Sequence, residues 1–425
     1  MGAARHEVPG ITWTGMIEVD SGEAYQGPWR MNASDFRYVD DPTVAIDREG
    51  VVGVAWADQA RKDIFYQAYG PDGNARLHQP VNVSRSPEIF SWLPRIAFGP
   101  GGSGGVYVLW QEIVFSGGSH GGEIFFARST DGGRSFSEPM NLSNTPAGDG
   151  KGRLTRRFWN NGSLDLAVDS GGELFAAWTE YEGALWFCRS TDGGASFTEP
   201  LHVAGRGAEP ARGPALAVGP GDAVSLVWTV GEDPAADIHI AKSRDGGRSF
   251  GQPSVVHQSP GHADAPKIAV DDEGTVHLVY AESSEGPLQR YEIRYARSTD
   301  GAATFEAART IADADSREYE SVSFPSLSLD GANNVYLVWE IFPDPNRRPR
   351  GLGFAVSRDG GRTFTDPSIV PGTSGPGLGV NGSLQGLLMS KLAVNGSGAI
   401  AVVNSTFSPN EASRVRLVRG QVAGR

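Results

Sequence analysis

Ser129-Thr130-Asp131-Gly132-Gly133-Arg134-Ser135-Phe136 occurs in close variants five times in this chain. The other copies are Ser190–Phe197, Ser243–Phe250, Ser298–Phe305 and Ser357–Phe364, and successive copies start 61, 53, 55 and 59 residues apart. A constant octamer at a variable period marks a repeated structural unit with insertions. Asp-Gly favours a tight turn, because Asp hydrogen-bonds its own backbone and Gly supplies positive φ. The Ser hydroxyl can tie back onto the same loop, and the closing Phe anchors the turn against an apolar layer. These aspartates read as turn-formers rather than catalytic carboxylates.

Each unit opens with a short apolar strand, often after Pro: Pro42–Ile46, Pro94–Phe98, Leu164–Val168, Pro214–Val218, Pro266–Val270 and Pro325–Leu329, with Ser390–Val394 as a seventh. A polar or Gly-rich turn follows, such as Asp47–Gly50 or Asp271–Gly274. A second strand then closes on an aromatic: Trp56, Trp110, Trp178, Trp228, Tyr280 or Trp339. A third strand leads into the octamer and a fourth leaves it, as at Pro139–Leu142. Four short alternating strands per unit describe a propeller blade. The first unit carries a decayed octamer at Gly70-Pro71-Asp72-Gly73. The reading is an all-β, seven-bladed β-propeller in one domain, residues 1–425. Its last unit lacks a fourth strand, which Ile11–Val19 is expected to supply, pairing the termini and hiding two edges. A six-bladed ring with residues 380–425 as an appendage is the alternative.

The chain has 425 residues and a net charge of −13, so a nucleic-acid partner is not expected. Its one cysteine, Cys188, sits in a strand and rules out an intrachain disulfide. The eight histidines show no metal-ligand spacing, and neither a metal nor another cofactor is expected. No apolar run is long enough to span a bilayer. The expected location is secreted or periplasmic, with the leader outside this sequence, or else cytoplasmic.

In this strand order the octamers share one face with the first-to-second turns. The opposite face collects the loops leading into first strands and those joining second to third strands. The long insertions Ile113–Gly122, Ser283–Arg290 and Ile341–Gly351 lie there, and variable loops at such a mouth are where ligand sites concentrate. Glu112, Glu180 and Glu282 follow the strand-ending aromatic by two residues, and Glu340 follows by one. They read either as strand-end caps or as carboxylates over a pocket. Arg37, Arg157 with Asn160, and Arg212 lie in or beside the loops leading into first strands, and Arg95 follows Pro94. The guanidinium fork suits a carboxylate.

The pattern Ser-x-Asp-x-Gly-x-x-Phe resembles the Asp-box, or BNR repeat, of bacterial sialidases and their relatives, and the fourth copy departs from it with Ala302. That resemblance implies a glycan ligand. It also implies an Arg triad on the sugar carboxylate, a Tyr–Glu nucleophile pair and an Asp acid/base. The family's Arg-Ile-Pro string has no counterpart in the first unit, which reads Asp40-Asp41-Pro42, whereas Arg212-Gly213-Pro214 has the spacing but opens the fourth. On this reading Arg37, Arg157 and Arg212 hold an anionic group and Asp40 or Asp41 moves the proton. Glu180 with Tyr181 forms the nucleophilic side, while Arg95, Glu112, Asn160, Glu282 and Glu340 line the substrate. Two function classes lead, a sialidase-like glycoside hydrolase and a non-catalytic propeller that binds a glycan or a protein, and unrelated chemistry such as that of a polysaccharide lyase stays open beside them.

Overall fold

The computed structural model describes residues 8–86, 88–102, 104–113, 122–144, 164–180, 183–205, 209–231, 235–287, 289–313, 319–344, 347–382 and 389–423. They form seven four-stranded antiparallel sheets. Blade 1 runs Val39–Ile46, Val52–Asp58, Asp63–Tyr69 and Val81–Asn82, and blade 2 runs Ser91–Phe98, Val106–Glu112, Glu123–Ser129 and Met140–Asn141. Blade 3 is Leu164–Val168, Leu174–Thr179, Leu185–Ser190 and Leu201–Ala204, and blade 4 is Ala211–Gly219, Ala223–Val230, Asp237–Ser243 and Ser254–His257. Blade 5 is His262–Val270, Val276–Ser283, Glu292–Ser298 and Arg309–Ala312, and blade 6 is Ser321–Leu329, Val335–Phe342, Leu352–Ser357 and Ser368–Ile369. Blade 7 combines Leu392–Val394, Ala399–Ser408 and Ala412–Val422 with the N-terminal strand Ile11–Gly22, which pairs antiparallel with Ala412–Val422. First strands of successive blades pack on one another in order, and that of blade 7 packs on blade 1, so the ring closes at seven rather than six.

In blades 1 to 6 the second strand is buried on both faces, and its closing aromatic is at most 1% exposed: Trp56, Trp110, Trp178, Trp228, Tyr280 and Trp339. The first-to-second turns share one device. Asp47, Asp169, Asp271, Asp330 and Asn395 each accept from the amides two and four residues ahead, which closes the turn without buried orphans.

The octamers join neighbouring blades. Inside one, Ser190 Oγ donates to Asp192 Oδ1 (2.7 Å) and accepts from the Gly194 amide (2.9 Å), while Asp192 Oδ1 accepts from the Ser196 amide (2.9 Å). The closing Phe packs edge-on against an aromatic in the third strand of the preceding blade. Phe197 meets Phe126 at 4.9 Å, Phe250 meets Phe187 at 4.9 Å, Phe364 meets Tyr295 at 4.8 Å and Phe136 meets Tyr66 at 5.6 Å. A cation from that same third strand donates to the turn's carbonyls: Arg128 to Gly193, Arg189 to Gly246, Lys242 to Gly301 and Arg297 to Gly360, at 2.9–3.0 Å. Arg419 of blade 7 does the same to Pro71 in the decayed turn of blade 1.

This packing explains the departure at Ala302. The second glycine of each octamer has positive φ, and a Cβ there would lie 2.7 Å from Phe126 at Gly194 and 2.6 Å from Phe187 at Gly247. Ala302 holds the same left-handed conformation (φ 60°), and it clusters with Ile240, the blade 4 residue in the aromatic's position. Replacing a flat ring by Ile makes room for one methyl.

Gly247→Ala is therefore expected to cost about 1–3 kcal/mol in urea unfolding, from left-handed strain and ring overlap. Part of that cost should vanish in a Phe187→Ile background. Equal costs in both backgrounds would refute the ring as the cause.

Acid should weaken the octamers. Hydroxyl bonds from the residue four ahead, then from the leading Ser, hold Asp245 and Asp300 far below the usual carboxylate range. For Asp131 and Asp359 slight burial works the other way, yet the same bonds bring both to about 2. A folded value below the unfolded value of about 4 gives stability that is present above pH 4 and lost as pH falls towards 2. The urea midpoint should drop across that window, and less so in Asp131→Asn.

Candidate functional site

The first strands of the seven blades pack on one another about the axis of the ring, and the loops that lead into them lie on the face opposite the octamers. In five blades the residue before the strand proline is left-handed: Asp41 (φ 51°), Leu93 (59°), Gly213 (53°), Ala265 (54°) and Phe324 (52°). Each coincides with a register skip: Asp40/Thr43, Trp92/Arg95, Arg212/Ala215, Asp264/Lys267 and Ser323/Ser326. These are β-bulges in a conformation that residues before proline disfavour, held by the sheet around them. They re-aim the side chains on either side of the proline at the mouth of the channel.

Cross-strand pairing puts Thr43, Arg95, Asp165, Ala215, Lys267, Ser326 and Lys391 at one level, one from each blade. Four of them are charged, and all four are less than 10% exposed. Arg95 Nε lies 3.8 Å from Asp165 Oδ1, and Asp165 Oδ2 accepts from the Leu216 amide of blade 4 at 2.8 Å. Burial pushes Lys267 down to about 8, against the pull of Asp165 two blades away and with a further push from Arg95 three blades away. The seven first strands, packed on one another round the ring, carry these groups at that level. Burial likewise lowers Lys391, which Asp41 pulls back up and which contacts the fully buried carboxylate of Glu340. Asn381 Nδ2 donates to the other Glu340 oxygen at 2.7 Å.

Nearer the mouth two groups converge. In the first, Asp40 and Asp41 are each 1% exposed; Gln59 Nε2 donates to Asp40 Oδ1 (2.8 Å) and itself accepts from Trp92 Nε1 (2.7 Å). Burial, then Asp40 and Asp41, raise the Tyr38 phenol well above its usual range, with Arg348 opposing. The second group is Arg212, His262, Asp264 and Tyr291. Arg212 Nη2 lies 3.5 Å from His262 Nε2 and 3.7 Å from Asp264 Oδ1, and Tyr291 Oη lies 2.9 Å from His262 Nδ1. Thr229 Oγ1 donates to Asp264 at 3.1 Å. Burial would raise Asp264, but Arg212 and then His262 bring it below the usual carboxylate range. The Asp264 side chain keeps 30% of its surface while Arg212 keeps 5%, so Asp264 is the more exposed of the two.

The structure thus brings Asp40, Asp41, Arg95, Arg212 and Glu340 to the channel. Arg37 does not join them: it stacks on Tyr25 at 4.4 Å and pairs with Glu23 (2.8 Å) and Asp35 (3.3 Å) in an exposed hairpin. Glu112 and Glu282 serve their own blades. Trp110 Nε1 and Ser86 Oγ donate to Glu112 (3.0 and 2.5 Å), and Ser259 Oγ and His257 engage Glu282 (2.7 and 2.5 Å), which ties each strand end to the loop that leads into its blade. Glu180 begins the turn back to Ala184. Arg157, Asn160 and Tyr181 lie outside the described residues. Sequence reasoning missed Asp165, Lys267, Lys391, His262, Asp264 and Tyr291. For the first three a signal existed, a charge at the same column of otherwise apolar opening strands.

Cys188 is buried and its thiol is pushed up by burial. Among the described residues no cluster of His, Cys, Asp and Glu could hold a metal ion, and no helix is long and apolar enough to cross a membrane.

No family model matches the chain, and no curated protein matches it in sequence. Solved structures do. The polysaccharide lyase Uly1 superposes with a TM-score of 0.59 at 10% identity, covering 96% of this chain and 99% of its own. An ulvan lyase of polysaccharide lyase family PL25, bound to -[GlcA(1-4)Rha3S]-, gives 0.58 at 12% identity over 95% of both chains. The α-L-arabinanase of Penicillium chrysogenum gives 0.52 at 14% identity, over 76% of this chain and 92% of its own. At these identities the likeness is one of fold.

Lys391→Met should strand the Glu340 carboxylate and cost about 3–5 kcal/mol, whereas Lys391→Met with Glu340→Gln should recover much of it. Urea unfolding of both variants checks this, and additive losses would show that the two groups do not act as a pair.

Proposed function

We propose that this protein is a glycan-active enzyme that cleaves an acidic, uronate-bearing glycan at the channel mouth by β-elimination. The observation that carries the reading is His262 clamped between Arg212 and Tyr291. A guanidinium has only donors, so it engages Nε2 as an acceptor. Neutral His262 then keeps its proton on Nδ1 and donates to Tyr291 Oη. A hydrogen bond to the phenolate favours that form and readies the oxygen to take a proton.

Arg212 lies behind the more exposed Asp264, and once a substrate displaces that pairing its charge can be shared with a sugar carboxylate, which acidifies the adjacent C5–H. Tyr291 Oη takes that proton, and the C–H electron pair becomes the C4–C5 double bond. The C4–O bond breaks, and the proton passes from Tyr291 to the leaving oxygen, which restores the starting state. No water is consumed. The recorded activities of the neighbours, two lyases and an arabinanase, support a glycan as the substrate. A sialidase-like hydrolysis draws less support, since the arginines expected to grip the sugar carboxylate do not converge: Arg37 is engaged in a separate hairpin.

A panel of uronate-containing polysaccharides should yield unsaturated ends that absorb in the ultraviolet. Tyr291→Phe should lower kcat by about 10²–10⁴-fold with the melting temperature unchanged. New reducing ends without that absorbance would replace elimination by hydrolysis. Binding without cleavage of any glycan would leave a binding module.

A further inference from the structure

Outside the rim of blades 6 and 7 lies a second cavity of about 310 Å³, lined by Glu320, Pro343, Asp344, Arg347, Arg348, Arg350 and Val380. Its size lies at the lower end of the range for small-ligand sites. Three guanidiniums face two carboxylates there. Arg347 is paired with Asp344 at 3.4 Å, but Arg350 and Glu320 are exposed and, among the described residues, no other side chain engages either. A free donor fork and a free acceptor across one small cavity invite a ligand that carries both an anionic group and hydroxyls.

The frame is fixed before any ligand arrives. Arg348 donates to the Gly382 carbonyl (2.9 Å) and to Gln26 Oε1 (3.1 Å), and its guanidinium lies 5.4 Å from the centre of the Phe407 ring. The Arg350 amide bonds the Ile341 carbonyl (2.7 Å), and Val380 exchanges two backbone bonds with Phe407 (3.0 and 2.7 Å). Arg348 is thus held as part of the wall, while Arg347 and Arg350 remain exposed at its edge. Asn381, next to Val380, bonds the buried Glu340, which ties this wall to the second strand of blade 6.

The geometry points to a subsite for one carboxylate-bearing sugar of the bound glycan: Arg350 and Arg347 take the carboxylate, Glu320 takes hydroxyls, and Pro343 and Val380 give the apolar wall. This rests on the acidic-glycan reading above, which it extends to a second sugar. Glu320 separates the site from one for a bare anion, because a carboxylate beside the guanidiniums repels a free dianion while accepting from hydroxyls.

Calorimetric titration with sodium glucuronate, sodium sulfate and glucose at constant ionic strength tests it. The proteins are the full chain, Arg350→Ala, Arg347→Ala with Arg350→Ala, and the same pair in an Arg212→Ala background that removes the mouth contact. Glucuronate should bind the full chain and Arg212→Ala, and the paired substitution should weaken the site about tenfold or more, since truncating a charge contact acts mainly on dissociation. Sulfate and glucose should bind far more weakly. Should Arg212→Ala fail to fold, the full chain should lose one glucuronate equivalent on the paired substitution. No glucuronate binding, binding in the Arg212→Ala background that survives the loss of both arginines, or sulfate binding as well as glucuronate would each overturn the subsite. The elimination reading stands or falls separately, on the unsaturated product and Tyr291→Phe.

Discussion

The contact between each octamer and the third strand of the blade before it is what turns seven small sheets into one object. A four-stranded sheet of short strands buries too little on its own. Here every clear octamer gives its Phe to the neighbour's aromatic or apolar residue, and at most junctions the neighbour returns a cation to the turn's carbonyls. The glycine at the turn is then dictated by the ring behind it. Where blade 4 offers Ile240 instead of a ring, blade 5 carries Ala302. A residue in one blade therefore sets the residue allowed in the next, a constraint that runs round the ring.

The octamer face is uniform because this contact leaves little freedom. The opposite face varies because nothing comparable binds it. Its shared feature is the bulge before the strand proline, which costs backbone energy and is paid back in placement. It turns polar side chains such as Arg212, Asp264 and Lys267 towards a lumen that regular alternation would not give them. At the deeper level Arg95, Lys267 and Lys391 meet Asp165, Asp41 and Glu340, and the charges roughly balance, so this belt reads as frame. Higher up, Asp264 keeps contact with solvent and His262 lies between Arg212 and Tyr291, and there chemistry becomes feasible.

The blade count was legible because its signals are local: an Asp-Gly turn, a strand-closing Trp, a proline ahead of an apolar strand. The site was legible only in part. Arg212 stood out through its spacing to Pro214. His262 and Tyr291 meet across a strand pair and a loop, 29 residues apart, a spacing that carries no periodic signal. Arg37 misled because proximity in sequence to Asp40 and Asp41 does not fix direction. It lies in a separate two-stranded hairpin that turns it to Tyr25 and Glu23.

The acids after the strand-closing aromatics show how one residue of phase separates structure from site. Glu112 and Glu282 stand two positions past the aromatic, hence on its own side of the sheet. Trp110 itself donates to Glu112, and both acids end as ties to a neighbouring loop. Glu340 stands one position past Trp339, on the opposite side, and the same strand geometry delivers it to Lys391 and Asn381 beside the channel. Identical chemistry is thus sorted by strand parity alone. It follows that the search for reactive groups in such a ring should go by column and phase, not by residue type. By that measure Gln111, Thr179, Thr229 and Glu340, all one past the aromatic, share the face that Arg212 and Asp264 occupy through their cross-strand pairs.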